Sequence, residues 1–167
     1  PDFAEKIGIE RDTALVSSLN IRYHADQVTT KIGLDVLRDI KATNNRITAG
    51  TSVHHLLFNE LDIGNYRTFF KLKPPLRSNA DREALTEAIR EGLIDNICSM
   101  HTPQDEESKR LPFEEAAPGA VGLETILPAS LSLYHNKILS LNQLFRLLAL
   151  NLSLIHIRRC RRIERCR

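Results

Sequence analysis

The strongest constraint on the fold is an alternation of strand-like and helix-like segments along the chain. The stretch LNIRYH (19–24) alternates apolar and polar residues as a half-buried strand does, and NRITAGTS (45–52) is a second strand candidate rich in β-branched residues. Between them, TTKIGLDVLRDIKATN places Ile32, Val36, Leu37 and Ile40 at helical spacing, with Thr29 or Thr30 as the N-cap. A long loop, NELDIGNYRTFFKLKPPLRSN, follows, and its Pro74-Pro75 pair cannot lie inside a helix or a central strand. NADREALTEAIREGLID is predicted as an amphipathic helix capped by Asn79 and closed by Gly92, with Leu85, Ala88, Ile89 and Leu93 as its apolar stripe. IDNICS (94–99) is the third strand, in which Cys98 is expected to be a buried, inert thiol. After a charged loop, GLETILPASLSLYH and LNQLFRLLALN carry helical periods, the first interrupted by Pro128.

This order implies parallel strands joined by crossover helices, an α/β protein. Parallel sheets need both faces covered, and three strands with these helices do not achieve that. The chain is therefore expected to be part of a larger domain. A (β/α)₈ barrel of the TIM type takes about 250 residues; the 167 residues here supply material for its last three strands, an incomplete barrel. The first residue is Pro1, and PDFAEKIGIERD reads as the interior of a longer polypeptide. No apolar run approaches the ~20 residues of a bilayer crossing, and no charged-then-apolar leader precedes the first elements. A soluble, cytoplasmic protein without a membrane partner is expected.

The final stretch, LSLIHIRRCRRIERCR (152–167), breaks the composition. It carries six arginines against one glutamate, and without it Lys+Arg falls from 23 to 17, Asp+Glu from 21 to 20 and the net charge from +2 to −3. An arginine block would ordinarily suggest nucleic-acid binding. LSLIHI, however, looks like the translation of a transposon-end sequencing adapter, and RRCRR fits the adapter bases that follow. Residues 152–167 are accordingly assigned no domain and no nucleic-acid partner, and residues 1–151 form the one partial domain. Cys160 and Cys166 belong to this tail, so Cys98 alone supports neither a disulfide framework nor a zinc knuckle.

Several spaced motifs carry a resemblance. HHL (54–56), FKLKPPLRS (70–78), the helix and strand over 81–95, HTP (101–103) and PGAVGLET (118–125) resemble, in order, the C-terminal part of a dihydroorotase, and RYHADQVTT (22–30) looks like that family's sixth-strand segment. Dihydroorotases are metal-dependent TIM barrels of the amidohydrolase superfamily. The resemblance implies strands six to eight of such a barrel and a hydrolase that interconverts carbamoyl aspartate and dihydroorotate in pyrimidine biosynthesis. It also implies zinc at the C-terminal mouth, polarising the amide carbonyl and supplying hydroxide.

Carried over residue by residue, the resemblance departs from the family pattern at the chemistry. The ligand His at the end of strand six is Gln27. The Asp at the end of strand eight, ligand and proton shuttle, is Met100. An amide is a poor zinc ligand beside an imidazole, and a thioether takes no proton near pH 7. The Asn expected before PPLR is Lys73, and the second His of the DHAPH pattern is Gln104. His54, His55, Arg77, His101, Pro118 and Gly119 keep the family type and remain substrate-side candidates, with Arg77 and Lys73 able to attract an anion. Against these, adjacent residues on a strand point to opposite faces, so at most one of His54 and His55 would face the mouth. His24 is expected to pack or hydrogen-bond within its strand. His101 is either near a ligand or in a structural hydrogen bond, and QDEESKR is expected to be a solvated loop. No catalytic group is intact, no metal is predicted for this chain, and the fragment is expected to be inactive alone. For the full-length parent two functions stay open: a working cyclic-amide hydrolase, or a non-catalytic subunit that stabilises aspartate carbamoyltransferase.

Overall fold

The structure is a computed structural model and describes residues 2–152. The arginine-rich tail and its two cysteines lie outside the described residues, apart from Leu152, which continues the last helix. The order of elements is α1 (Asp2–Leu19), β1 (Tyr23–Ala25), α2 (Lys31–Thr43), β2 (Ile47–Ser52), α3 (Val53–Leu57), α4 (Asn79–Arg90), β3 (Asn96–Cys98), α5 (Glu106–Arg110), α6 (Ile126–His135) and α7 (Leu141–Phe145). A π-helical turn over Arg146–Leu150 prolongs α7. The strands form a parallel sheet in the order β1-β2-β3, with Ala25 opposite Ala49 and Ser52 opposite Cys98. No described helix is long and apolar enough to cross a membrane.

The α4 stripe predicted from spacing buries Leu85, Ala88 and Ile89. Of the α2 stripe only Leu37 is fully buried, Ile32, Val36 and Ile40 being partly so and the unpredicted Leu34 taking the central place. These pack with Ile47, Ala49 and Ile97 of the sheet. Asp95 ties β3 to β2 and α2. One carboxylate oxygen accepts from Lys41 Nζ at 2.6 Å and from the Ala49 amide at 2.7 Å, while the Asp95 amide donates to the Ala49 carbonyl at 2.7 Å.

Five elements differ from expectation, each for a local physical reason. Residues 2–19 form a helix rather than an unassigned lead-in. Its buried stripe is Ile9, Thr13 and Val16, and Thr13 disguised the period because its hydroxyl is satisfied within the helix by the Ile9 carbonyl. The first strand is therefore shorter than 19–24, since Leu19 ends α1 and Asn20 turns the chain at φ 53°. Ser78, not Asn79, caps α4, accepting from the Asp81 amide and donating back to the Asp81 carboxylate. Pro128 does not interrupt α6; it occupies the first turn, where a helix needs no amide donor. The charged loop contains the short helix α5, and Lys109 within it is buried rather than solvated.

The turn from β1 into α2 is built around one side chain. Glu5, on α1, accepts from the amides of Thr29 (2.8 Å) and Thr30 (2.9 Å) and from both threonine hydroxyls. It thereby places a carboxylate on the positive N-terminus of α2. Gly33 makes room: a Cβ there would stand 2.7 Å from Glu5 Oε1. Arg77 completes the group, donating to Thr29 Oγ1 at 3.0 Å and lying 3.5 Å from Glu5 and 3.2 Å from Asp2. Removing the carboxylate leaves four donors without their acceptor and a mostly buried guanidinium without its buried counter-charge. Glu5→Ala is therefore expected to cost about 3 kcal/mol, read as a fall in the urea midpoint, while Glu10→Ala on the exposed face of α1 leaves the midpoint unchanged.

Candidate functional site

In a parallel α/β sheet, ligand sites form at the carboxyl ends of the strands. Here those ends deliver Gln27 two residues after β1, His54 and His55 directly after β2, and Met100 two residues after β3. Together with Ser52, Leu72, Lys73, Thr102, Pro118, Gly119 and Ala120 they line a cavity of about 350 Å³. Seven of the ten candidate positions thus converge, Gln27 and Met100 among them. Arg77, His101 and Gln104 do not line this cavity, and His54 does so from an unexpected element. Ser52, Thr102 and Ala120 adjoin motif residues but carried no signal of their own.

The two histidines lie on helix α3, not on a strand. Ser52 Oγ accepts from the His54 amide and turns the strand directly into the helix. Successive helical residues diverge by about 100° rather than 180°, which is why both imidazoles reach the cavity wall. Both are buried. His55 Nε2 meets the Pro75 carbonyl at 3.2 Å, so the ring carries its proton there and Nδ1 faces no partner. Burial, only partly offset by the Pro75 and Pro74 carbonyls, holds the His55 pKa below its usual value; burial does the same for His54. The His54 ring faces the Ser99 backbone, whose hydrogen bond offsets its burial only in part.

Gln27 and Met100 share an unusual backbone, φ 59° and 49°. The left-handed region disfavours ordinary side chains and favours Asn, Asp and His several-fold over other non-glycine residues. The remaining candidates support the rim. His101 is exposed, and its Nδ1 accepts from the amides of Gly122 and Leu123, both at 3.2 Å, the structural hydrogen bond weighed as one alternative. Gln104 donates to the Pro118 carbonyl at 3.2 Å. Gly119 is required where it stands, since its φ is 142° and a Cβ would lie 2.4 Å from the Thr102 carbonyl. Arg77 is held by Thr29, Glu5 and Asp2, so its charge is already compensated and it is not the anion-attracting group expected; Lys73 alone at the cavity carries a formal charge. His24 bonds Thr48 Oγ1 at 2.8 Å within the sheet. Cys98, half-buried and donating to the Thr51 carbonyl, has its thiol pushed up to about 11 by burial and the Asp26 charge.

No family model matches the chain. Among curated proteins, the dihydroorotase of Ehrlichia canis (strain Jake) is 39% identical over 142 residues, 84% of this chain and 32% of that protein. The dihydroorotase of Listeria innocua is 43% identical over 128 residues, 77% of this chain and 30% of that protein. The chain is homologous to the dihydroorotases. It spans about a third of the length of the curated relatives it matches. Among solved structures, the L-hydantoinase (dihydropyrimidinase) of Arthrobacter aurescens superposes with a TM-score of 0.85 at 27% identity, over 92% of this chain and 35% of that one. The dihydroorotase of Saccharomyces cerevisiae in complex with 5-fluoroorotic acid gives a TM-score of 0.76 at 16% identity, over 87% of this chain and 41% of that one, a likeness of fold. The α/β framework is that of the amidohydrolase barrels.

Zinc, which dihydroorotase resemblance implies, takes imidazole, thiolate and carboxylate donors. At the mouth of this dihydroorotase homologue the nitrogen donors are His54 and His55, while the other strand ends present an amide and a thioether, and no carboxylate lines the cavity. Among the described residues no group of three or more His, Cys, Asp or Glu could hold a metal ion. These residues do not fit a zinc site.

Two outcomes are expected. Because both buried histidines are more readily protonated in the unfolded chain, stability is complete above about pH 6.5 and falls as pH drops below it; the urea midpoint at pH 5.5 should lie below that at pH 7.5, and His55→Gln should shrink the difference. Met100→Asn, suited to the left-handed backbone, should raise stability by about 0.5–1 kcal/mol, measured by the same denaturation.

Proposed function

We propose that the chain is the portion of a dihydroorotase-family barrel comprising strands six to eight with their helices, and that the protein serves pyrimidine biosynthesis in the cytoplasm as a non-catalytic subunit. The observation that carries this is the composition of the cavity at the strand ends. Opening or closing a cyclic amide needs a Lewis acid or equivalent dipoles at the carbonyl oxygen and a group that moves a proton near pH 7. Gln27 and Met100 supply neither, and the two imidazoles are tied into the fold by burial and the Pro75 carbonyl. What the mouth retains is shape, with Lys73 able to attract the carboxylates of dihydroorotate or carbamoyl aspartate.

A barrel that keeps its framework while its mouth loses reactive groups is suited to holding a partner enzyme in register, and aspartate carbamoyltransferase, which makes carbamoyl aspartate, is the partner proposed. A second reading, a working dihydroorotase, is favoured by the 39–43% identity to proteins of that name; it requires ligands from outside these 167 residues. A related cyclic-amide hydrolase with another substrate is a variant of this second reading.

The deciding measurement is dihydroorotase turnover of the chain and of its full-length parent with added zinc, together with zinc content by elemental analysis. No turnover above the buffer rate, no stoichiometric zinc and co-purification of the parent with aspartate carbamoyltransferase are expected. Turnover near that of an intact dihydroorotase would refute the non-catalytic reading.

A further inference from the structure

The loop that joins α3 to α4 raises an aromatic wall beside the mouth, formed by Phe58, Phe69 and Phe70, with Phe58 and Phe70 edge to face at 5.2 Å. Only part of that wall faces inward. Phe69 is 72% exposed, and so is Tyr66 on the turn before it. Leu61, Leu111 and Val121 are exposed on the neighbouring segments. Single exposed apolar residues are ordinary on a monomer, whereas a gathered set marks a contact surface. Tyr66 is also held at φ 52°, a backbone that a bulky residue adopts only at some cost. Asn or Gly would fit that turn better, so folding alone does not call for a tyrosine there.

Charges of both signs border these aromatic residues, and they are unmatched within the described residues. On the Phe70 side stands Arg67, its guanidinium 5.4 Å over the Phe70 ring and packed so near Gly64 that a Cβ there would lie 3.3 Å from Nη2. Exposed and stacked, Arg67 takes part in no ion pair among the described residues. On the other side Phe113 meets the Tyr66 ring at 5.6 Å, and Glu114 and Glu115 follow it. Both glutamates are exposed, and neither enters an ion pair among the described residues. Lys71 is spent on the Phe113 and Glu114 carbonyls and leaves the carboxylates free. A pre-organised guanidinium on one side of an aromatic centre and free carboxylates on the other make the patch self-complementary. Isologous two-fold contacts require that property, and Tyr, Phe and Arg are the side chains enriched in protein interfaces.

We propose that this rim patch is a two-fold contact between copies of the chain, with Tyr66 and Phe69 of both copies packed at its centre and Arg67 of each paired with Glu114 and Glu115 of the other. A partner of a single charge would leave one border unpaired, whereas a second copy pairs both. The patch lies on the loops that follow β2 and β3, so the contact uses neither the free edge of β1 nor that of β3. Nor does it rest on the functional reading above, since no group in it is asked to turn anything over.

Sedimentation velocity of the full chain tests this. At about 100 μM in low salt the mass should rise from 19.0 kDa to twice that value and stop there, and the association should weaken in about 0.5 M NaCl. Tyr66→Asn, which suits the left-handed turn, and Arg67→Glu, at an exposed position, should each weaken the dimer about tenfold or more without lowering the unfolding midpoint. Adding Glu114→Lys and Glu115→Lys to Arg67→Glu should restore the dimer, because the pairs re-form with their signs exchanged. A monomer throughout, growth beyond the dimer, a dimer indifferent to Tyr66→Asn or Arg67→Glu, or no recovery in the triple variant would each overturn the assignment. Dihydroorotase turnover in the assay above would leave it standing.

Discussion

The carboxylate of Glu5 is the hinge of the architecture. Four hydrogen bonds from two consecutive threonines fix the turn that leaves β1, and that turn fixes both the direction of α2 and the place of Gln27 at the mouth. The same oxygens neutralise Arg77, which anchors the end of the long loop. The Glu60 amide donates to the Arg77 carbonyl at 2.8 Å, and the intervening loop carries Leu72 and Lys73 to the cavity. One buried acceptor thus connects helix, sheet and loop. An acidic group at a helix N-terminus is favourable on its own; here it is made directional by the two hydroxyls and by the missing Cβ at Gly33.

That rigidity also holds an unfavourable backbone at the mouth. The backbone at Gln27 and Met100 stays left-handed although neither residue favours it. Strain of this kind persists only where the surroundings over-determine the conformation, and here the surroundings are the Glu5 network on one side and the His101 bonds to Gly122 and Leu123 on the other. A frame set by distant hydrogen bonds tolerates an amide at Gln27 and a thioether at Met100, because both residues line the cavity rather than the core. Reactivity and framework are held by different residues.

Much of the framework was legible in the sequence. Period-3.6 stripes in α2 and α4, the β-branched run of β2 and the short apolar run of β3 specify parallel β/α order, because burial of apolar faces dictates all three. The parts that escaped depend on contacts between distant residues. Nothing local in α1 reveals that Thr13 satisfies its own hydroxyl, or that Glu5 will meet Thr29 and Thr30 across the fold. His54 and His55 looked like strand residues because the preceding stretch is β-branched; only the Ser52 cap turns the chain at that point. Within QDEESKR every charge looked solvated, yet Lys109 alone turns inward, satisfied by the carbonyls of Thr68 and Gly119, 41 and 10 residues away. Of the site, the strand-end positions were legible from motif order and the structural bond of His101 was one of two readings, whereas the redirection of Arg77 into structural bonds was not.

Lys109 and Gln104 also show how the rim is held without any reactive group. The Gly119 carbonyl accepts from Lys109, the Pro118 carbonyl from Gln104, and the Gly119 amide donates to the Lys71 carbonyl at 2.8 Å. Every bond in this set ends on backbone, so side-chain identity inside the cavity can drift without loosening it. Backbone acceptors leave the lysine charges uncancelled, however, and positive potential accumulates where the aromatic wall excludes water and screening is weak. A rim held by lysine-to-carbonyl bonds rather than by ion pairs therefore keeps its shape independently of the side chains that line the cavity, and it carries its positive charge beside the mouth.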